Sequence, residues 1–176
     1  MQRLFVGEVV LVVKGGASNF ARKNGETKCK DPSEVRSWEM KIVVCSSMAF
    51  AREMIEARGR LEELGHSVTL PHRTDEYASG KLSRETQSES AYHKIQGDLF
   101  RDYFNKIKEG DSILVFNKDK NGIRDYIGGN TLIEMAFAHI LYKPIYLLNP
   151  IPDISYRDEI IAMKPTIINE DFRKIK

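Results

Sequence analysis

A glycine-rich stretch followed closely by a carboxylate is the strongest candidate for chemistry in this sequence. Gly128 and Gly129 let the backbone approach a ligand, and a helix starting near Asn130 would offer free N–H donors. Glu134 falls in the first turn of that predicted helix, where its carboxylate would face the crevice above a sheet. A second interpretation is equally open, because Thr131 and Glu134 have capping-box spacing, in which the glutamate only satisfies a backbone amide.

Other familiar catalytic and metal motifs are absent from the sequence. It has no P-loop, no GxGxxG after a strand, no HExxH and no GxSxG elbow. The four histidines are spread over unrelated segments, and Cys29 and Cys45 form no CxxC or zinc-spaced pair, which indicates free thiols. We therefore expect no metal and no redox or dinucleotide cofactor.

The elements that must position Glu134 follow from hydrophobic patterning. Short apolar runs alternate with amphipathic segments, the pattern of a parallel sheet with crossover helices. The apolar runs predict strands at 41–45, 68–70, 112–116, 144–148 and 166–168. The amphipathic segments predict helices over about 51–64, 91–108, 131–142 and 156–163. The predicted fold class is α/β, a three-layer sandwich with a mostly parallel sheet of about five strands.

Two longer polar segments interrupt this alternation. Residues 73–90 are predicted to form a surface excursion or lid, since they carry few large apolar side chains. Residues 117–129 are predicted to be a polar loop at the carboxyl end of the third strand. Ligands of such sheets bind at the carboxyl ends of the strands, so this loop is expected to border the site.

Composition and charge exclude several classes of function. The 176 residues, 41% hydrophobic and 30% charged, suit one globular domain. Residues 1–39 hold seven Lys/Arg and five Asp/Glu and so carry the whole formal charge of +2, while residues 40–176 hold twenty of each. Without a clustered basic stripe, nucleic-acid binding is disfavoured. The apolar run at 5–13 is too short for a bilayer and resembles no secretory signal, so we expect no membrane partner and a cytoplasmic location.

The first 39 residues fit the α/β pattern poorly. We predict an N-terminal extension over 1–39, outside a core domain at 40–176. Met40 stands directly before the first predicted strand, which raises the hypothesis that translation begins there.

The segment from Asp111 to Pro144 resembles the nucleoside 2-deoxyribosyltransferase family. The resemblance rests on an Asp before an apolar strand, a polar loop, two glycines, a Glu opening a helix and a terminal Lys-Pro. In order and type of elements it extends over roughly 41–150. It implies a flavodoxin-like, Rossmann-like α/β domain that forms homodimers or larger assemblies. It also implies an enzyme that breaks the N-glycosidic bond of 2'-deoxynucleosides or nucleoside monophosphates, with no metal or redox cofactor.

The resemblance also implies roles for individual residues. Glu134 would be the nucleophile that captures C1' as a glycosyl-enzyme. Asp102, with Asp98 as a rival, would protonate the departing base. The family carries an acidic residue in the glycine-rich loop where this chain has Gly128. Asp125, which lies earlier in the chain, would substitute for that acidic residue.

Several polar or aromatic residues are candidate substrate ligands. Ser46 and Ser47, after the first strand, would hold a 5'-hydroxyl or a 5'-phosphate, although an ordinary serine N-cap explains them as well. Asn117 ends the third strand and is placed to touch a ligand or form a turn, and Tyr126 would cover the sugar or simply pack. The full set of candidate ligands is Ser46, Ser47, Asn117, Tyr126, Gly128, Gly129 and Asn130.

Three functions remain open at this point. A transferase passes the sugar to a second nucleobase, whereas a nucleoside 5'-monophosphate N-glycosidase passes it to water. A binding protein would keep the pocket for a nucleotide signal without turnover, which the glycine at position 128 in place of an acid favours. In either enzyme, a neighbouring subunit would contribute residues from around 149–156 to the pocket.

Overall fold

A sheet of five parallel strands forms the centre of the described part of the chain. A computed structural model describes residues 39–82, 92, 95 and 97–176. The strands in these residues are β1 (Lys41–Cys45), β2 (Ser67–Thr69), β3 (Ser112–Val115), β4 (Lys118–Lys120), β5 (Ile123–Tyr126), β6 (Ile145–Leu147) and β7 (Thr166–Ile167). The main sheet has the strand order β2-β1-β3-β6-β7. With the β4–β5 pair set aside, this is the order of flavodoxin-like folds. The predicted α/β class and parallel sheet are thus confirmed.

Helices cover both faces of the sheet. Their bounds are α1 (Ala51–Glu63), α2 (Thr74–Ala78), α3 (Leu99–Glu109), α4 (Gly129–Ile140) and α5 (Arg157–Ala162). Short 3-10 helices lie at Met48–Phe50 and Phe172–Lys174. Helix α1 packs on one face with the C-terminal segment, and α3, α4 and α5 pack on the other. The three layers that the sequence predicts are therefore present.

The strands are buried on both faces, which explains why they read as continuous apolar runs. Residues 42–45 of β1 and all of β3 are buried. In the register, Ile42 lies opposite Ser112 and Cys45 opposite Val115. Alternate side chains point to opposite faces, so Val44 joins the core under α1 while Val43 and Cys45 join the core under α4.

The prediction of a polar loop over 117–129 is wrong, because most of this segment forms a β-hairpin. β4 and β5 pair antiparallel, with Lys118 opposite Tyr126 and Lys120 opposite Ile123. The Asn121–Gly122 turn has positive φ at both residues, 54° and 76°, as the tight hairpin turns require. The hairpin extends from the carboxyl edge of the main sheet, directly after β3.

Two other predicted elements need correction. The polar segment 73–90 contains α2, and its residues 83–90 lie outside the described part of the chain. The second predicted helix, 91–108, is interrupted by a turn. Tyr92 and Ile95 are helical, and α3 begins at Leu99 after Asp98, whose left-handed backbone has a φ of 42°. The predicted extension at 1–39 lies outside the described residues apart from its last residue, so the domain division remains a prediction. No helix among the described residues has the length and apolar character needed to cross a membrane.

Candidate active site

The candidate site lies where the chain leaves two adjacent strands toward opposite faces of the sheet. β1 leads to α1 on one face, and β3 leads through the hairpin to α4 on the other. The carboxyl ends of the two strands are neighbours, because Phe116 N–H donates to the carbonyl of Cys45 at 3.0 Å. A crevice at such a switch point is the usual ligand site of open α/β sheets.

Glu134 is not part of a capping box. Helix α4 starts at Gly129, with Gly128 as an N-cap that has no side-chain hydrogen bond. Glu134 is thus the sixth residue of the helix, and its carboxylate lies too far along the helix to accept a hydrogen bond from the first backbone amides. Its Oε2 atom is buried, and no hydrogen-bond partner for it occurs in the described part of the chain. Because a buried carboxyl oxygen normally has a partner, this one is available for chemistry or for a ligand.

Burial also sets the charge of Glu134. Loss of solvation raises the pKa of its carboxyl to about 8, while interaction with the neighbouring Cys45 thiol acts in the opposite direction. The side chain is therefore largely protonated at neutral pH. A developing positive charge beside the carboxyl would favour its anion.

Two further ionisable side chains share this pocket, and sequence reasoning did not assign them to the site. Cys45 ends β1 and is fully buried, and burial followed by the proximity of Glu134 raises the pKa of its thiol. Tyr103 of α3 donates its hydroxyl to the carbonyl of Val44. Burial, and then the nearby Cys45 and Glu134, raise the pKa of Tyr103. The available signal was alternation along β1, which places Cys45 on the α4 side.

The predicted serines adopt two different roles. Ser46 donates its hydroxyl to the carbonyl of Phe116 at 2.8 Å and so ties β1 to β3. Ser47 is the N-cap of the following 3-10 helix, where its oxygen accepts from Ala49 N–H at 3.3 Å. The same oxygen accepts from Lys120 Nζ at 2.7 Å. The structure therefore brings a lysine to this loop that the sequence analysis did not include.

Asn117 is a positioning residue in this structure. Its side chain is buried, and Nδ2 donates to the carbonyls of Asp125, Asn149 and Pro150 at 3.3, 3.1 and 2.9 Å. Its Oδ1 accepts from Asn149 N–H at 3.0 Å. Both polar atoms of Asn117 thus hold the hairpin to the loop after β6, rather than facing a ligand.

The glycine-rich loop and Tyr126 form one open border of the site. Tyr126 ends β5, and its ring centre lies 5.8 Å from Lys120 Nζ. A Cβ on Gly128 would meet the Tyr126 ring at an ordinary 3.5 Å, and one on Gly129 would meet nothing within 4 Å. Gly129 and Asn130 are exposed. The start of α4 is therefore exposed and not crowded by neighbouring side chains.

The acidic candidates other than Glu134 are engaged by protein groups. Asp102 pairs with Lys106 at 2.7 Å, and its side chain is 44% exposed. Its rival Asp98 pairs with Arg101 at 2.7 Å. Asp111 accepts from Lys41 N–H at 2.7 Å, so it holds the start of β1.

Asp125 differs from these, because its side chain is mostly buried. Burial raises its pKa, whereas the adjacent Arg124 lowers it. Its backbone N–H donates to Asp119 Oδ1 at 2.9 Å.

The structure also shows a cleft that lies away from the candidate site, and no metal-ligand cluster among the residues it describes. No group of three or more metal-ligating side chains occurs among them. A cleft of about 410 Å³ lies between the end of α1 and the C-terminal segment, and its lining includes none of the predicted site residues. It is bordered by Arg60, Glu63, Leu64 and residues 169–173.

Comparison with solved structures gives a likeness at low sequence identity. No family model matches the chain, and no curated protein does. The chain is similar to the solved structure of a 2-deoxyribosyltransferase from the psychrotolerant bacterium Bacillus psychrosaccharolyticus, characterised as a biocatalyst for the synthesis of antiviral and antitumoral nucleosides. The two are 23% identical with a TM-score of 0.42, over 61% of this chain and 70% of the other.

Proposed function

We propose that this chain is an enzyme that cleaves the N-glycosidic bond of a nucleoside or nucleotide through a covalent intermediate on Glu134. The observation that carries the proposal is the buried, unpartnered carboxyl oxygen of Glu134 at the switch point of the sheet. The resemblance of residues 111–144 to nucleoside 2-deoxyribosyltransferases supplies the type of reaction.

The proposed reaction has two displacement steps. In the first, a Glu134 oxygen forms a bond to C1' while the bond from C1' to the base nitrogen breaks, and the base leaves with the electron pair and takes up a proton. In the second, the oxygen of water or the nitrogen of another base attacks C1' and loses a proton, and Glu134 leaves as a carboxylate. The positive charge that develops on the sugar stabilises the Glu134 anion, which offsets the cost of ionising a carboxyl whose pKa is about 8.

Asp102 is our candidate for the proton donor to the base, as the resemblance predicts. Its ion pair with Lys106, at 2.7 Å, must open for this role, because the carboxylate is otherwise engaged by the ammonium group. Substitution of Asp102 with Asn should therefore slow release of bases that leave poorly and spare those that leave easily.

A second candidate function is nucleotide binding without turnover. The ion pair of Asp102 with Lys106 favours it, since the candidate proton donor is engaged by a protein group. Saturable binding of nucleotides with no base release would support this function over the enzyme.

The test is a substrate panel. Purified protein is incubated with nucleosides, deoxynucleosides and their 5'-monophosphates, with and without a second free base, and base release is followed by chromatography. Exchange that requires an acceptor base indicates a transferase, and release into water indicates a hydrolase. Lack of release across the panel would contradict the proposed enzyme.

We also propose that the enzyme is a homodimer or larger homo-oligomer, as the resemblance implies. Apolar side chains on α4 are exposed in the single chain, among them Ile133 and Ile140 at 39% and 69%. Sedimentation analysis would test this, and a monomer at micromolar concentration would contradict it.

A further inference from the structure

The segment that follows β6 is held in place by side chains of its own chain. Asn117 Nδ2 donates to the carbonyls of Asn149 and Pro150 at 3.1 and 2.9 Å, which fixes the beginning of this segment. Its end is fixed as well, because the Tyr156 ring packs against the core under α4. Residues 149–156, which the resemblance places in a neighbour's pocket, are therefore anchored at both ends within one chain.

Tyr156 makes the contact that reaches the candidate site. Its hydroxyl donates to the carbonyl of Ile127, the buried residue directly before Gly128. The next carbonyl, that of Gly128, accepts from Leu132 N–H at 2.9 Å in the first turn of α4. One side chain at the start of α5 therefore fixes the peptide that leads into the helix carrying Glu134.

A second tyrosine lies over the same peptide. A Cβ on Gly128 would be 3.5 Å from Tyr126 Cε1 and 3.9 Å from the Tyr126 hydroxyl oxygen. Burial, and then the neighbouring Tyr126, raise the pKa of Tyr156, so its hydroxyl remains a hydrogen-bond donor at neutral pH. Because a glycine has many backbone conformations open to it, Gly128 and Gly129 depend on such contacts to keep one loop shape.

We propose that Tyr156 is a positioning residue for substrate binding, and that it acts by holding the Ile127 carbonyl and thereby the glycine-rich loop. The inference rests on the glycosidic activity proposed above. The loop borders the candidate site, so a loosened loop binds substrate more weakly. Glu134 lies further along α4, between the buried Thr131 and Met135, and keeps its place. The inference therefore predicts an effect on binding and none on the chemical step.

The kinetic test compares two tyrosines. Tyr156→Phe removes the hydroxyl and keeps the ring, and Tyr142→Phe is the matched control, because Tyr142 is 95% exposed. We expect Tyr156→Phe to raise KM for the best substrate of the panel about 5- to 10-fold, the usual value of one hydrogen bond, with kcat within about twofold of wild type. Tyr142→Phe should change neither constant. Equal KM values for the two variants, or a fall in kcat alone, would overturn the inference.

A second measurement does not need activity. Hydrogen exchange of the amides of residues 128–132 is followed by mass spectrometry in wild type and both variants, with α1 as the internal reference. Loss of one hydrogen bond should speed this exchange about fivefold in Tyr156→Phe and leave α1 unchanged. If no substrate releases base, the glycosidic activity fails and hydrogen exchange decides the role of Tyr156 by itself. Faster exchange in Tyr156→Phe alone supports the role, and equal exchange in the two variants overturns it.

Discussion

Asn117 and Asn149 join the ends of β3 and β6 by hydrogen bonds in both directions. Asn149 N–H donates to Asn117 Oδ1 at 3.0 Å, and Asn149 Nδ2 donates to the Asn117 carbonyl at 2.9 Å. Asn117 Nδ2 in turn donates to the Asn149 carbonyl at 3.1 Å. One buried side chain therefore fixes both the hairpin and the loop after β6 at the edge of the candidate site.

We expect Asn117→Ala to lower the free energy of unfolding by about 2–3 kcal/mol, because it leaves buried backbone groups without partners. Urea denaturation measures the loss. The control is Asn130→Ala, an exposed position near the start of α4 where a change within about 0.5 kcal/mol is expected. Equal stability of the two variants would refute a positioning role for Asn117.

Glu134→Gln should stabilise the protein, and increasingly so as the pH rises. The folded state holds the Glu134 proton more tightly than the unfolded chain, with a pKa of about 8 against a usual 4.5. Stability is therefore lost as the pH rises from about 4.5 through 8, and the glutamine removes that loss. At pH 7 the gain should be on the order of 3 kcal/mol.

Urea denaturation of Glu134→Gln and wild type between pH 4 and 9 measures this gain. Glu159→Gln, at an exposed carboxylate on α5, is the control and should change the free energy of unfolding by less than about 0.5 kcal/mol. A capping role would give the opposite sign, a loss of about 0.5–1 kcal/mol, and would contradict the structure.

The activity should rise with pH if Glu134 acts as a nucleophile. Only the anion attacks C1', so kcat/KM should increase to a plateau above about pH 8. Cys45→Ala should move this rise to higher pH, because the thiol favours the charged carboxyl. A rate that falls above pH 8 would show instead that Glu134 acts as a protonated acid.

Two glycines with different surroundings test the packing of the sheet. A Cβ on Gly110 would lie 2.8 Å from Val43 Cγ2 and 3.3 Å from the Lys41 carbonyl, so Gly110→Ala should cost about 1–3 kcal/mol. A Cβ on Gly59, in the middle of α1, would meet nothing within 4 Å, so Gly59→Ala should add about 0.5–1 kcal/mol. Thermal unfolding measures both, and shifts of the same sign would be inconsistent with this packing.

The main sheet could be predicted from the sequence because its strands are buried on both faces. Predicted and observed strands of the main sheet differ by at most one residue at each end, and β1 agrees at both ends. The β4–β5 hairpin was not predicted, because its short strands lie outside the main sheet and carry no apolar run. The Asn121–Gly122 pair was the signal that could have revealed it.

The site was predictable only in part. Glu134 stands out by its place after a glycine-rich loop, but its capping-box interpretation failed because α4 begins at Gly129, two residues before Thr131. The contacts of Cys45 with Glu134 and of Lys120 with Ser47 connect residues that are far apart in sequence. Strand register and the position of the hairpin create these two contacts. No local spacing of residues in the sequence predicts the register or the hairpin position.

The role of Glu134 as the nucleophile is tested most directly by the rate of base release. The rate is measured at pH 8, on the best substrate of the panel, for wild type, Glu134→Gln and Glu159→Gln. Loss of a covalent nucleophile should lower kcat by at least about 1,000-fold, while Glu159→Gln should keep the wild-type rate. The folded state of each variant is checked by its thermal unfolding. Base release by Glu134→Gln within tenfold of wild type would contradict the claim.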